Sequence, residues 1–319
     1  MTTWMRAVSQ RVFGGPEVLE LVQAHRPAPG RGEVLVRVHG AGVNASDCKV
    51  RAGKVPVFGD PPLTVGVDLA GVVEAVGDQV VQFTPGDKAY GMVFPPHGAY
   101  AEYVVASADA LAIPPAGLDH IQSAALPLSA LTAWQALVNM AALTAGQRVL
   151  IHAAAGGVGH LAVQIAKARG AYVIGTARAA KHPFLYRLGA DELIDYTHTD
   201  FAAVVRDVDV VLDTVGGEYG PRSVDTLTPG GLLINVMGTT GSGNQRDLAR
   251  ARAAARGIRF TEFYVNPSRA DLQDVSALVE GGKLQVDIQE VLPLEEAARA
   301  HVISETGRTQ GKVVLRVSS

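Results

Sequence analysis

One segment constrains this chain more than any other: Arg148-Val-Leu-Ile-His-Ala-Ala-Ala-Gly-Gly-Val-Gly-His-Leu-Ala-Val-Gln-Ile-Ala-Lys167. An apolar run of strand length enters a turn holding Gly156, Gly157 and Gly159. A helical pattern from Val158 to Arg169 leaves it, with Leu161, Ile165 and Ala168 on one stripe. Glycines at such a turn clear side chains away, so that backbone N–H groups and the positive helix end can approach a pyrophosphate. Against the dinucleotide fingerprint G-x-G-x-x-G, Ala154 replaces the first glycine. A glycine-rich turn can also be purely structural. The strand before it and the helix after it favour dinucleotide binding, through Gly156, Gly157, Val158 and Gly159.

The following strand, Tyr172-Val-Ile-Gly-Thr-Ala-Arg178, bears on which dinucleotide. An NAD site places an acid there for the ribose hydroxyls, whereas a 2′-phosphate wants a cation. Thr176 stands where the acid would be, and Arg178 and Lys181 follow. A solvated basic turn is the other reading of that pair; the missing acid and the two cations together favour NADPH.

Elsewhere the texture divides in two. Met5 to about Val105 reads as short β-type runs separated by turn clusters such as Pro27–Gly30 and Thr84–Asp87. From about Ser123, apolar runs alternate with helical patterns, with further strands at Leu193 to Ile194, Val208 to Asp213 and Gly231 to Val236, as in a doubly wound parallel sheet. After Val265 a helix at Asp271 to Glu280 precedes strands at Ile288 to Pro293 and Lys312 to Val317. The expected fold class is α/β. Its domains are residues 1–125 with 266–319, β-rich, and residues 126–265, which bind the cofactor.

Composition excludes several classes. The 319 residues include one cysteine, Cys48, which forbids an intramolecular disulfide and a multi-cysteine metal site. A net charge of −3 gives no general grip on nucleic acid. Met1 to Val22 shows no secretory pattern, and the uncharged stretch Ile121 to Gln147 is broken by polar residues, so no membrane association and a cytoplasmic protein are expected.

Ala154–Gly159, Ala41-Gly-Val-Asn-Ala-Ser-Asp47, Val65-Gly-Val-Asp-Leu-Ala-Gly71, Thr84-Pro-Gly-Asp87, Ala125–Trp134 and Gly311-Lys-Val-Val-Leu315 together resemble the medium-chain dehydrogenase/reductase superfamily, in its zinc-independent quinone oxidoreductase branch. The resemblance runs from about Arg6 to Val317. It implies a GroES-like catalytic domain beside a Rossmann domain, and a homodimer joined near Ile258 to Val265. Zinc enzymes of the superfamily carry Cys at Asn44, His-Glu at Val67-Asp68 and another Cys near Leu128, so the resemblance implies a metal-free site; Asn, Val and Leu cannot supply zinc's usual ligands.

Without a Lewis acid, the feasible chemistry is hydride transfer from NADPH to quinones or α,β-unsaturated carbonyls. By resemblance, Asn44 and Thr132 lie beside the nicotinamide as the catalytic pair, Tyr196 lies near the 2′-phosphate, Gly238 lies in a loop under the cofactor, and Lys312 is a further cofactor-side residue. Asp47 is expected as a structural acceptor. An enoyl-thioester reductase and a non-catalytic NADPH-binding sensor are the competing readings.

Overall fold

The computed structural model describes residues 3–55, 58–236 and 243–318. It divides into two compact units. The first is Met1–Leu131, Asn266–Gly282 and Val286–Ser319; the second is Thr132–Val265 with Lys283–Gln285.

The first unit holds β1 (Trp4–Gln10), β2 (Glu20–His25), β3 (Glu33–Val43), β4 (Leu63–Thr64), β5 (Asp68–Val76), β6 (Lys88–Met92), β7 (Tyr103–Ser107) and β8 (Leu111–Ala112). The second holds β9 (Arg148–Ile151), β10 (Tyr172–Ala177), β11 (Glu192–Asp195), β12 (Val208–Asp213), β13 (Leu227–Asn235) and β14 (Arg259–Glu262). The chain returns to the first unit with β15 (Ile288–Pro293) and β16 (Lys312–Arg316).

In the first unit, β2-β1-β4 form a small antiparallel sheet, and β15-β16-β3-β5-β6-β8 form a larger one with β7 also on β3. Strand β3 alternates Val34, Val36 and Val38 into a core shared with Leu69, Val73, Val104 and Val313. Its partners β5 and β16 carry Asp68 and Lys312, so this pairing brings residues 244 positions apart together.

The second unit's sheet is parallel, ordered β11-β10-β9-β12-β13-β14. That is the doubly wound Rossmann order, in which ligands lie at the carboxyl ends of the strands where the winding reverses, here between β9 and β12. Helix Gly157–Ala168 follows β9 and buries Leu161 and Ile165.

The unit boundary falls inside helix Pro127–Trp134, six residues later than the expected start at 126. The Leu128 amide donates to Asp68, and Ser129 accepts from Lys312, so the head of that helix is tied to the β-rich unit. Residues 283–285 cross the other way: Gln164 Nε2 donates to the Gln285 carbonyl and Gln164 Oε1 accepts the Gln285 amide, each at 2.9 Å. The sequence reading also missed helix Ala297–Glu305, whose buried positions Ala297, Ala300 and His301 are interrupted by Arg299.

Candidate active site

In the second unit, the glycine-rich turn is shaped by its lack of side chains. A Cβ on Gly159 would stand 2.4 Å from the Ala153 carbonyl oxygen and 2.7 Å from the Ala154 Cα, so this glycine permits the helix to pack onto the turn. At Gly156 a Cβ would meet only the Ala153 oxygen, at 3.3 Å, leaving the approach to the helix N-terminus open. The left-handed residue is Ala153 (φ 46°), one place before the alanine that replaces the first fingerprint glycine. The first-turn N–H groups of Gly157, Val158 and Gly159 have no acceptor within their own helix. These features fit a pyrophosphate.

A neutral network supports the turn. The Thr176 carbonyl accepts the Ala154 amide at 3.0 Å and its hydroxyl accepts the Ala153 amide at 3.2 Å. The Ser223 hydroxyl donates to the Tyr219 carbonyl, so it accepts from His152 Nε2 at 2.8 Å; His152 Nδ1 then accepts from Thr176 at 3.2 Å. Burial, with Arg222 adding repulsion, pushes the His152 ring down to about 3, which keeps it neutral. Thr176 is thus buried beneath the turn, where its side chain holds the main chain in shape. Phe201 and Tyr219 close on the His152 ring edge-on, at 4.6 and 4.9 Å.

At the ends of the neighbouring strands, Arg178 Nε donates to the Tyr196 hydroxyl at 3.1 Å. Lys181 is pushed down by partial burial and by Arg178, so two cations lie close together. The nearby Asp195 carboxylate is held well below its usual range, chiefly by bonds from Thr197. The structure therefore brings Arg178, Lys181 and Tyr196 together and leaves Thr176 underneath. Gly238 lies outside the described residues.

In the first unit, the surroundings of Asn44 are charged and buried. The Lys312 ammonium donates to Asn44 Oδ1, to Asp68 Oδ2 at 3.2 Å and to the Ser129 hydroxyl at 3.2 Å. Asn44 Nδ2 donates to the same Asp68 oxygen at 2.9 Å, and the Leu128 amide donates to Asp68 Oδ1 at 2.7 Å. Burial pushes the Asp68 carboxyl up, while Lys312, Asn44 and the Leu128 amide oppose that shift. The Asn44 amide is therefore fixed in orientation, with one Nδ2 hydrogen still to place.

The main chain of Asn44 is anchored as well, its N–H donating to Asp47 Oδ2 at 2.8 Å. Lys312, read from the resemblance as a cofactor-side residue, has its three donors directed at Asn44, Asp68 and Ser129. Thr132 is buried in helix Pro127–Trp134. In the first unit, Phe58 and Phe94 stack with centroids 5.4 Å apart, and burial lowers the pKa of the Lys49 ammonium.

Sequence reasoning missed Asp68 as a partner of Asn44. The signal was present: an acid between Val67 and Leu69 in an apolar run, which burial would force to find a partner. It also missed Asp213 at the end of β12. There Oδ1 accepts the Val215 and Gly216 amides, while Oδ2 is buried with no hydrogen-bond partner among the described residues.

A parallel sheet in Rossmann order with a glycine cradle, and a β-rich unit with a buried polar centre, define a two-domain dehydrogenase-type oxidoreductase. Residues 30–116 match the alcohol dehydrogenase GroES-like domain and residues 188–315 match a zinc-binding dehydrogenase domain. The chain is 34% identical to quinone oxidoreductase of Sus scrofa, over 98% of this chain and 97% of that one. Among solved structures, quinone oxidoreductase from Coxiella burnetii superposes with a TM-score of 0.92 at 37% identity, covering 99% of this chain and 100% of that one. Escherichia coli quinone oxidoreductase complexed with NADPH superposes with a TM-score of 0.87 at 31% identity, covering 98% and 100%. The chain belongs to the medium-chain dehydrogenase/reductase superfamily, in its quinone oxidoreductase branch.

The zinc named for one matching domain does not suit the residues here. Of Asn44, Val67, Asp68 and Leu128, only Asp68 is a usual zinc donor, and both its oxygens accept hydrogen bonds from the protein. Among the described residues no group of three or more His, Cys, Asp or Glu could hold a metal ion.

Proposed function

We propose that this protein is an NADPH-dependent reductase of quinones or α,β-unsaturated carbonyls that works without zinc. The observation carrying the cofactor choice is the Arg178, Lys181 and Tyr196 cluster beside the glycine cradle. When bound, NADPH supplies the hydride for an electrophilic carbon. The amides of Gly157, Val158 and Gly159 hold the pyrophosphate, and Arg178, Lys181 and Tyr196 hold the 2′-phosphate. Asn44 and Thr132 orient the nicotinamide or the acceptor oxygen, and Asp68 and Lys312 keep the Asn44 amide in its rotamer. An acceptor already polarised by conjugation needs no Lewis acid; it needs placement and donors for the oxygen that gains charge. The stacked Phe58 and Phe94 offer a flat apolar wall for such an acceptor.

The test follows NADPH absorbance with 1,4-naphthoquinone, a simple enone and crotonyl thioester in parallel. Oxidation with either of the first two supports the reading. Turnover with the thioester alone replaces it by enoyl-thioester reduction, and tight NADPH binding with no turnover replaces it by a sensor. Replacing Arg178 and Lys181 together by alanine is expected to weaken NADPH binding and leave NADH little changed; equal losses overturn the phosphate site. A homodimer through the edge strand β14 belongs to the same reading, and a monomer at micromolar concentration in sedimentation would contradict it.

A further inference from the structure

A second buried chain of polar groups reaches Asn44 from the opposite end of helix Ala45–Arg51. Its direction can be read from its donors. Arg51 is buried and can only donate; its Nη2 pairs with the half-exposed Glu305 at 2.5 Å, and Nη1 lies 3.2 Å from His301 Nδ1. His301 Nδ1 must therefore accept, which places the ring hydrogen on Nε2. Burial, reinforced by Arg51, pushes His301 down to about 3 and keeps this single neutral form.

His301 Nε2 then donates to the Tyr100 oxygen at 3.3 Å, which leaves the Tyr100 hydroxyl to donate to Asp47 Oδ2, also at 3.3 Å. That oxygen is the one accepting the Asn44 main-chain N–H. The other oxygen, Asp47 Oδ1, is buried with no hydrogen-bond partner among the described residues. From Arg51 Nη1 through His301 Nε2 to the Tyr100 hydroxyl, each link thus donates in the direction of one carboxylate oxygen, while the remaining Arg51 donors go to Glu305 and the Gly14 carbonyl. The groups facing Asp47 from neighbouring elements are Asp68 on β5, Lys312 on β16, Tyr100 before β7 and, beyond Tyr100, His301 on helix Ala297–Glu305; Cys48 and Arg51 lie on its own helix.

We propose that Asp47 is a positioning residue for Asn44, and that the one-way chain Arg51, His301, Tyr100, Asp47 carries the pH dependence of the reaction through the ionisation of this carboxylate. The proposal rests on the reading of Asn44 as the residue that orients nicotinamide or acceptor. When Asp47 is ionised, its bonds from Asn44 and Tyr100 are charge-assisted and Lys312 balances both carboxylates. When it is protonated, the Asn44 N–H loses its anionic acceptor and the main-chain anchor slackens. Burial and the neighbouring Asp68 push Asp47 up to about 7, while the Asn44 amide, Lys312 and Tyr100 act against them, so the two states exchange near neutral pH.

The experiment combines kinetics with infrared spectroscopy on the full chain. Wild-type kcat is expected to fall as the pH drops below about 7, following one ionisation, with a smaller change in KM. A buried protonated-carboxyl band should be present at about pH 6 and lost by about pH 8.5. Asp47→Asn should flatten the kcat limb and remove the band. Tyr100→Phe takes one donor from the carboxylate and should move both limb and band upward by roughly one pH unit. A purely structural Asp47 would lower activity evenly at every pH. The proposal is overturned by a wild-type protein without a titrating band, by a limb that survives in Asp47→Asn, or by Tyr100→Phe titrating as wild type. Should wild type reduce no acceptor at all, the functional reading fails separately, and the band with its shift in Tyr100→Phe still decides whether the chain controls Asp47.

Discussion

The two polar centres of this molecule solve the same problem by different physics. Beneath the glycine turn, His152, Thr176 and Ser223 form a buried network in which every member is neutral and each donor meets an acceptor. Around Asn44, the network is built from full charges, with Lys312 against Asp68 and Asp47 close by. A neutral network fixes the backbone and leaves main-chain N–H groups for a ligand. A charged one holds a side chain rigidly and makes it sensitive to protons. Loss of a member should therefore cost little in the first and much in the second.

The largest effect is expected at Lys312. Lys312→Met leaves Asp68 buried without its cation and should cost about 3–5 kcal/mol in urea denaturation. Adding Asp68→Leu should restore part of that loss, since the uncompensated charge goes with it. A single variant no less stable than the double would erase the distinction between the centres.

Acid titration separates the centres by sign. The folded His152 ring binds its proton far more weakly than the ordinary value of 6.5, so between about 6.5 and about 3 the unfolded chain holds the extra proton. Stability from this group is lost as pH falls through that window; His301 acts alike. Asp47 works the other way. Its folded carboxyl holds a proton up to about 7 against the ordinary 3.8, so its contribution is complete below 3.8 and is lost as pH rises toward 7. Denaturation across a pH series should show a shallower acid fall in His152→Gln, by about 1.4 kcal/mol per pH unit, and a steeper one in Asp47→Asn. Slopes changing in the same direction would refute the opposition.

Smaller effects belong to the cradle. Gly159→Ala forces a methyl to 2.4 Å from the Ala153 oxygen and should cost about 1–3 kcal/mol, with NADPH affinity falling at least tenfold in fluorescence titration. Gly156→Ala, with its nearest atom at 3.3 Å, should cost less stability while still obstructing the cofactor. Thr176→Val removes the hydroxyl shared by Ala153 and His152 and should cost about 1–2 kcal/mol, with the preference for NADPH over NADH unchanged. A changed preference would show that Thr176 reads the ribose directly.

The two centres also differ in how legible they were. The glycine cradle could be found because glycines, the apolar strand before them and the helical stripe after them sit within twenty residues and act through the backbone. That Arg178 and Lys181 come close together could be read for a similar reason, since they follow directly on the next strand of a repeating pattern. Helix Ala297–Glu305 escaped because its buried stripe is short and interrupted by Arg299. The partners of Asn44 were harder still. Asp68, Ser129 and Lys312 belong to separate stretches of sequence, and no local pattern pairs them. Reading Lys312 as a cofactor residue followed from its place in a motif, whereas its three bonds follow from where β16 lies beside β3.

By itself, then, the sequence determined the two kinds of layer, the Rossmann repeat, the open glycine turn and the absence of an acid at Thr176. These depend on periodicity and backbone freedom, which act over a few neighbouring residues. Only the tertiary structure decided that Thr176 lies under the turn, that Lys312 and Asp68 grip Asn44, and that Arg51 and His301 support the Tyr100 hydroxyl that donates to Asp47. The reason is physical: buried charges and neutral imidazoles persist only when partners arrive from distant strands and helices, and those arrivals are set by the packing of the whole β-rich unit.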